Sequence, residues 1–253
     1  AAAARKSVEV DGDEDGGEGV AADDNNDASK QRANRLNEAL SLAATLTSDK
    51  RSTKREGVHR TLFKAITQYA TGSTGQEILE SNWGNVSEAC LFSLRSGKSS
   101  EQYAACRVLE ASSIILGEDQ DDIVCQLNAP LKKIVNATGR ATVVRCAALR
   151  CLSMVHFICG TDCLEEGEDS MSVIELCEKV AAENYRGESV NPLLRATGLD
   201  CWSLLSTTFH DAHIASGDGH DDTLDLGRGL QLLNLLASCL DSSDAGLRRS
   251  AGK

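Results

Sequence analysis

Apolar positions recur with helical spacing along most of the chain, and the pattern is densest in residues 141–159. Within this stretch, apolar side chains return at every third or fourth position: Val144, Ala148, Cys151, Val155 and Ile158. Few polar residues interrupt it, so we expect a helix that is covered on most sides, as it would be between neighbouring helical layers.

A short motif in this helix recurs along the chain and predicts a repeat. The segment 145–149 begins at Arg145, and segments of similar residue types begin at Gln102, Arg195 and Arg249, 43 to 54 residues apart by subtraction of residue numbers. Such spacing is typical of stacked helical hairpins, in which each unit buries its apolar face against a neighbour. The sequence therefore predicts an all-α, right-handed α-solenoid of HEAT/armadillo-like helical hairpins without strands.

The two ends of the chain differ from this pattern. Residues 1–28 are rich in Asp, Glu and Gly and nearly lack large apolar groups, so burial cannot offset the entropy of ordering them. We predict a disordered acidic tail there, which either solvates the chain or binds a basic partner. The repeat domain is predicted over residues 29–253 and truncated at its C-terminal end, because only an opening helical turn follows residue 247.

Polar and breaker residues predict where individual helices begin and end. Thr53 and Glu56 have the spacing of a capping box at the start of the second helix. Residues 71–83 contain three glycines or serines near their start and predict a loop with at most one helical turn. Pro130 is expected to kink or divide the helix that contains it.

Composition supports a helical core in a reducing compartment. Aromatic residues make up 4% of the 253 residues and there are two prolines, which favours helices packed through small side chains over a sheet sandwich. Most of the ten cysteines fall within apolar helical runs, and no secretory segment precedes them. We therefore predict reduced, buried thiols in an intracellular protein.

Charge and hydropathy argue against two classes of partner. The formal net charge of −12 and the absence of a long basic stripe argue against direct nucleic-acid binding by this segment. No apolar run approaches the roughly 20 residues that span a bilayer, so no membrane partner is expected. The repeat pattern instead favours a protein partner, bound as a helix or an extended peptide on a concave face.

The tightest basic cluster lies between the first two helices: Lys50, Arg51, Lys54 and Arg55. One interpretation is a contact for RNA or an acidic partner, or part of a nuclear-import signal. The other is a solvated turn whose charges flank a helix cap. Four charges on one loop give a modest, salt-sensitive attraction, which favours the solvated turn.

One loop gathers histidine and aspartate residues that could bind a metal. His210, His213 and His220 lie close together in sequence with several Asp residues. However, His-x-x-His spacing is common by chance, and no Glu lies between the first two to act as a base. Metal binding by this loop is therefore the less favoured alternative.

Other patterns that would indicate chemistry are incomplete. His156, Cys159 and Cys163 mix metal-ligand types but lack a second pair at zinc-finger spacing, so packing and a loop thiol are favoured. The sequence contains no Gly-x-x-x-x-Gly-Lys-[Ser/Thr] phosphate loop and no Gly-x-Ser-x-Gly nucleophile turn. We predict no catalytic residue, no cofactor and no enzymatic activity.

Several segments resemble the amino-terminal domain of the interferon-related developmental regulator family. They are GKSSEQYAACRVLEASSIILGED (97–119), LNAPLKKIVNATGRATVVRCAALRCLSMVHFICGTD (127–162) and SSDAGLRRSAGK (242–253). The segment SDKRSTKREGVHRTLFKAI (48–66) is similar to the opening hairpin of that domain, and the helix of Trp202 is also similar. The resemblance covers about residues 35–253 in the same order.

This resemblance implies an armadillo-type α-solenoid that has no catalytic activity and acts through other proteins. Family members are described as transcriptional co-regulators linked to histone deacetylase corepressor complexes. Ribosome association with translational silencing is also attributed to the family, so the resemblance implies the nucleus and the cytoplasm. The family continues through further repeats and a shorter carboxy-terminal domain, and contacts made by those parts are not expected of this segment.

Arg145 and Arg195 hold the same place in consecutive units of the predicted repeat. A charged group in so apolar a helix either reaches solvent along its own stem or meets acceptors in an adjoining turn, because an unpaired buried charge is costly. We predict the second arrangement, in which each guanidinium contacts carbonyls or a carboxylate at an inter-helix turn. Such contacts would form a short ladder along the array.

Overall fold

The computed structural model describes residues 21–118, 120–160, 168–208 and 226–252, and the helices in these ranges stack as antiparallel pairs. The five pairs among the described residues are α1 (Ala21–Leu46) with α2 (Ser52–Tyr69), α3 (Gly72–Ser96) with α4 (Ser99–Leu116), α5 (Asp121–Asn136) with α6 (Thr142–Ile158), α7 (Glu168–Ala181) with α8 (Pro192–Ser206), and α9 (Leu226–Leu240) with α10 (Ala245–Ala251). Each helix packs against the other member of its pair. The predicted all-α solenoid of helical hairpins is confirmed.

The ten helices form two layers. The even-numbered helices α2, α4, α6, α8 and α10 each pack against the next even-numbered helix, and α1, α3 and α5 form the opposite layer. The central helix α6 contacts α4, α5 and α8, and most of its side chains are buried, as its apolar pattern predicts. One continuous hydrophobic core runs from Leu36 to Leu205.

Small side chains allow these helices to approach one another. Alanine and cysteine occur throughout the core beside larger leucines, as at Ala148, Leu149 and Cys151. The nine cysteines in the described part of the chain are free, and all except Cys125 are buried. Burial raises the pKa of the Cys106 thiol to about 12, so this thiol is protonated and behaves as an apolar group.

The first helix begins earlier than predicted. Helix α1 starts at Ala21, so the predicted boundary at residue 29 lies within it. Alanine has the highest helix propensity, and Ala21, Ala22 and Ala28 favour helix in a stretch whose acidic composition indicated disorder. Residues 1–20 of the predicted tail lie outside the described residues.

Of the two predicted effects of Pro130, a kink or a division of its helix, the division is wrong. Helix α5 continues through Pro130 from Asp121 to Asn136. Proline removes the N–H group that would bond to the carbonyl of residue 126. Gln126 is exposed, so water can bond to that carbonyl in place of the missing donor.

The segment 71–83 is helical, whereas the sequence predicted a loop. Helix α3 begins at Gly72, whose φ of 76° lets the chain turn directly after α2. Gly75 is buried against the end of α2, where an added Cβ atom would lie 2.7 Å from the backbone carbon of Ala70. Glycines that indicate a loop in the sequence therefore allow a tight junction between two helices.

Replacing Gly75 with Ala is expected to lower the free energy of unfolding by about 1 to 3 kcal/mol, because backbone atoms of α2 must move to admit the methyl group. Gly84 provides a matched control in the same helix, since no atom lies within 4 Å of its added Cβ. Gly84→Ala should raise stability by up to about 1 kcal/mol through helix propensity. Urea denaturation of both variants measures the difference, and equal effects would contradict the close junction.

The connection between α7 and α8 contains a short β-hairpin, although the sequence predicted no strands. Strand β1 (Asn184–Tyr185) pairs antiparallel with β2 (Glu188–Ser189). Arg186 and Gly187 form the turn with φ values of 54° and 80°, as a type I′ turn requires. Strands of two residues are too short to show alternating polarity, so the hydrophobic pattern did not reveal them.

Candidate interaction surface

Polar side chains at the fourth position of the even-numbered helices join the two helices of each hairpin. In α6 the Nε atom of Arg145 donates a hydrogen bond of 2.8 Å to the carbonyl of Val135, near the end of α5. In α8 the Nε atom of Arg195 donates a bond of the same length to the carbonyl of Ala181, the last residue of α7. The predicted contacts of both arginines with inter-helix turns are confirmed.

The same position makes the same kind of contact in the first two hairpins. Gln102 is the fourth residue of α4, and its Nε2 atom donates a 3.1 Å bond to the carbonyl of Leu94 in α3. Arg55 is the fourth residue of α2, and its Nη1 atom donates a 2.7 Å bond to the carbonyl of Asp49. The last carbonyls of a helix lack intrahelical partners, so Gln102 satisfies one of them in α3, while Arg55 satisfies a carbonyl of the turn between α1 and α2.

The last hairpin corrects one predicted repeat position. The fourth residue of α10 is Arg248, whose Nη1 atom donates a 2.6 Å bond to the carbonyl of Ser242 in the preceding turn. Arg249, which the sequence predicted at this position, is the fifth residue of α10 and is exposed. The repeat motif was therefore aligned one residue too late at this end.

Replacing Arg145 with Met should lower the free energy of unfolding by about 1.5 to 3 kcal/mol, the range for hydrogen bonds that involve charged groups. Methionine keeps an apolar stem but leaves the buried carbonyl of Val135 without its donor. Arg150→Met is the matched control, because Arg150 lies exposed on the same helix and should change stability by less than about 0.5 kcal/mol. Equal denaturation midpoints for the two variants would rule out the stabilising contact.

The predicted basic cluster does not present four free charges. Arg55 is only 7% exposed, and its guanidinium forms two bonds with the fully buried carboxylate of Glu101 in α4. The Nε–Oε1 distance is 2.7 Å and the Nη2–Oε2 distance is 3.0 Å. Hydrogen bonding to Arg55 and Ser52 opposes the effect of burial and holds the pKa of Glu101 below its ordinary value. Arg55 is therefore a structural residue and is not available to a partner.

The other three cations of the cluster surround one carboxylate at the surface. Lys54 lies 2.8 Å from Asp49 and Arg51 lies 3.9 Å from it, while Lys50 is exposed on the same turn. The hydrogen bond from Lys54 lowers the pKa of Asp49. This arrangement matches the solvated turn, with part of its positive charge neutralised locally.

The predicted capping box of α2 is wrong. The helix begins at Ser52, and the residue before it makes no side-chain capping bond, so Thr53 lies within the first turn. The carboxylate of Glu56 instead accepts a 2.6 Å hydrogen bond from the hydroxyl of Ser100 in α4 and pairs with Arg60 one turn further along. Glu56 therefore links α2 to α4 at the surface of the even-numbered layer.

Beside this link a groove opens across α2, α4 and α6. We call it the even-helix groove; its volume is 850 Å³, and it is lined by Arg60 and Phe63 of α2, Tyr103 and Arg107 of α4, and Val143 of α6, among others. Tyr103 is 39% exposed and Val143 is 50% exposed, and together with Phe63 they give the groove an apolar lining. The groove therefore offers apolar and cationic groups to the same ligand.

An arginine occupies the ninth position in each of the three helices that form the groove. These residues are Arg60 in α2, Arg107 in α4 and Arg150 in α6, and we call them the arginine row. The corresponding residue of α8 is Asp200, where the row ends. Each position lies five residues after the fourth-position donor of its helix, so it recurs on one side of the layer.

The arginine row is held only by surface contacts. The guanidinium of Arg107 lies 4.9 Å from the ring centroid of Phe63 and 3.2 Å from the Glu110 carboxylate. Arg60 forms its ion pair within one exposed helix turn. Arg150 is exposed and forms no ion pair with any residue in the described part of the chain. The side chains of Arg60 and Arg107 keep a solvent-exposed side in these pairs, where a further acceptor can bind.

A buried histidine lies beneath the groove. The Nε2 atom of His59 is 2.8 Å from the hydroxyl of Ser93, and its ring is fully buried. Burial lowers the pKa of His59 to about 4, so the ring is neutral at physiological pH. This histidine therefore adds no charge to the groove.

The proposed metal ligands do not come together where the structure describes them. Across the described ranges, no three His, Cys, Asp or Glu side chains are grouped so that they could hold a metal ion. Cys159 is buried, and its sulfur lies 3.6 Å from the carbonyl oxygen of Ser113. His210, His213, His220 and Cys163 lie outside the described residues.

Neither the even-helix groove nor the arginine row was predicted from the sequence. Their signal lay in the repeat itself, since the row appears when positions five residues after Arg55, Gln102 and Arg145 are compared. Among the described helices, none combines the length and the apolar content that crossing a bilayer demands.

Comparison with known proteins covers both layers of the array. A search of curated proteins finds no match to the chain. The family model described as Interferon-related developmental regulator (IFRD) matches residues 4–253, which include every helix and the arginine row. Because this match spans nearly the whole sequence, the chain belongs to the interferon-related developmental regulator family.

Proposed function

We propose that this chain is a non-enzymatic interaction scaffold that acts as a transcriptional co-regulator through partner proteins of the histone deacetylase corepressor type. The even-helix groove carries this proposal, because exposed Tyr103 and Val143 lie beside Arg60 and Arg107. Tyrosine and arginine are enriched where proteins bind one another, and exposed apolar patches of stacked repeats are common binding surfaces.

The chemistry of three buried titratable groups near the first hairpins supports binding over catalysis. A general base or an activated thiol works best with a pKa near the operating pH. In this protein the pKa of His59 is about 4 and that of Cys106 is about 12, and Glu101 is enclosed in an ion pair. These three groups serve the packing of the hairpins.

Membership in a family of regulators supports a role in controlling other macromolecules. We propose that the protein acts in the nucleus and in the cytoplasm. Ribosome association is the alternative that an experiment must separate from corepressor binding. The two differ in what accompanies the protein, since a corepressor complex brings deacetylase activity and a ribosome brings ribosomal RNA.

Affinity purification of the full chain from nuclear and ribosomal fractions tests this proposal. We expect protein partners in the nuclear fraction, together with histone deacetylase activity above that of an untagged control. Enrichment of ribosomal subunits without deacetylase activity would favour the ribosomal role. Recovery of no protein partner from either fraction would overturn the scaffold function.

A further inference from the structure

We infer that the even-helix groove and the arginine row bind an extended acidic segment of a partner protein, with carboxylates at every third residue and a Phe or Leu beside them. This inference rests on the proposed scaffold function and specifies the chemistry of its partner. It follows from three observations: the spacing of the arginine row, the charge of the row, and the apolar side chains that line the groove beside it. We call these side chains, Phe63, Tyr103 and Val143, the apolar floor.

The spacing of the row matches an extended chain. Axes of packed helices lie about 8 to 10 Å apart, so the ninth positions of α2, α4 and α6 recur at about that interval. An extended peptide in the polyproline II conformation advances about 3.1 Å per residue with three residues per turn, so side chains three residues apart share one face, lie about 9 Å apart and meet the row. A helical peptide advances about 1.5 Å per residue and would meet successive arginines only every six or seven residues.

The charge of the row selects carboxylates. The protein as a whole has a formal net charge of −12, yet Arg60 and Arg107 line one groove and Arg150 holds the equivalent position on α6. Arginine binds carboxylates through paired N–H donors, and in the pairs with Glu56 and Glu110 the arginine side chains of Arg60 and Arg107 remain 73% and 36% exposed. A row of partner carboxylates would bind the exposed sides of Arg60 and Arg107 and also bind Arg150.

The apolar floor selects a partner side chain of a particular kind. Phe63, Tyr103 and Val143 line a groove of 850 Å³, large enough to admit an aromatic or branched aliphatic side chain. Arg107 lies over the ring of Phe63, so one guanidinium is already positioned at the edge of this floor. A purely charged ligand would leave Tyr103 and Val143 exposed, whereas an acidic peptide with Phe or Leu would cover them.

The acidic residues at the start of the chain itself fit the groove less well. Residues 1–20 carry several Asp and Glu residues, but Val8, Val10 and Val20 are their largest apolar side chains and none is aromatic. Such a segment would satisfy the arginine row and leave the apolar floor uncovered. A partner protein is therefore the occupant that matches both features of the surface.

Fluorescence anisotropy with the full chain tests this inference directly. The probe is a labelled 15-residue peptide of alternating Asp-Phe-Ser and Glu-Leu-Ser triplets. One matched peptide replaces Phe and Leu with Ser, a second replaces the acidic residues with Lys, and a labelled 15-nucleotide oligouridine represents nucleic acid. We expect the probe to bind at least about tenfold more tightly than each of these three controls, as loss of either contact class predicts.

Two sets of substitutions locate the binding surface. Replacing Arg60, Arg107 and Arg150 together with Gln should weaken probe binding by about tenfold or more and reduce its salt dependence. The matched variant changes Lys30, Arg95 and Lys133 to Gln, which removes the same charge from exposed positions on α1, α3 and α5. This control should change affinity by less than about twofold, and circular dichroism melts confirm that both variants fold.

Four results would overturn the inference. The first is that the probe and the peptide without apolar residues bind equally, and the second is that both triple variants weaken binding equally. The third is that oligouridine binds more tightly than the probe. The fourth is a large gain in probe affinity when residues 1–20 are deleted. The last result would make the chain's own acidic segment the occupant. If the probe fails while partners are still recovered from cells, this inference fails and the scaffold function stands.

Discussion

Replacing Arg55 with Met is expected to lower the free energy of unfolding by about 3 to 5 kcal/mol, because the carboxylate of Glu101 stays buried without its countercharge. The pair joins α2 to α4, and Ser52 donates a further 2.6 Å bond to the same carboxylate. With Arg55 removed, only neutral hydroxyl donors, those of Ser52 and Ser93, would remain to compensate the negative charge among the described partners. Chemical denaturation at neutral pH measures the change.

A double-mutant cycle separates the charge pair from the packing of the arginine stem. Glu101→Gln removes the negative charge with little change in shape, so the combined Arg55→Met and Glu101→Gln variant should cost less than the sum of the two single changes. Arg60→Met is the surface control, since its exposed pair with Glu56 is worth about 1 kcal/mol or less. A loss for Arg55→Met no larger than that of Arg60→Met would show that the buried pair is not stabilising.

Acidification is expected to destabilise the protein through His59. Above pH 6.5, its ordinary pKa, the ring is neutral in both the folded and the unfolded chain, so its full contribution is present. Between pH 6.5 and about 4, only the unfolded chain takes up the proton, and the free energy of unfolding falls as the pH falls. The loss is on the order of 3 kcal/mol by pH 4, because each pKa unit corresponds to about 1.4 kcal/mol.

Urea denaturation between pH 7.5 and 4.5 compares the parent with His59→Gln. Glutamine can still form a hydrogen bond with Ser93 but does not titrate. The free energy of unfolding of the parent should therefore fall by about 2 to 3 kcal/mol more than that of the variant over this pH interval. The other histidines are the same in both proteins and cancel in the comparison. Parallel loss of stability in the two proteins would show that His59 is not responsible.

The repeat and its internal contacts could be predicted because they follow from burial of polar groups within apolar helices. Arg145 and Arg195 each lie in a helix with few other polar residues. A charged group on the buried side of such a helix requires a hydrogen-bond acceptor nearby. Arg249 was predicted at the repeat position because the segments were aligned by residue type and not by the residue at which each helix begins. Asp244 caps α10 by accepting a bond from the Leu247 N–H group, which places Arg248 at the fourth position.

The Arg55 pair and the groove could not be predicted in the same way, because both depend on contacts between separate hairpins. Glu101 lies 46 residues after Arg55, and nothing in the local pattern around either residue indicates that they meet. The capping-box motif at Thr53 was misleading for the same reason, since Glu56 bonds to Ser100 of the next hairpin. Local motifs predict helices, whereas the surface is formed by their packing.

Site-specific photocrosslinking in cells tests the interaction scaffold most directly. A photoreactive phenylalanine analogue placed at Tyr103 lies in the even-helix groove, and the same analogue at Leu42 lies at a matched site on α1, since the two residues are 39% and 38% exposed. If the protein is a scaffold, position 103 should give protein adducts that position 42 does not give. Replacing Arg60, Arg107 and Arg150 with Gln should reduce the yield of these adducts. Equal adducts from both positions, or none from position 103, would contradict the scaffold function.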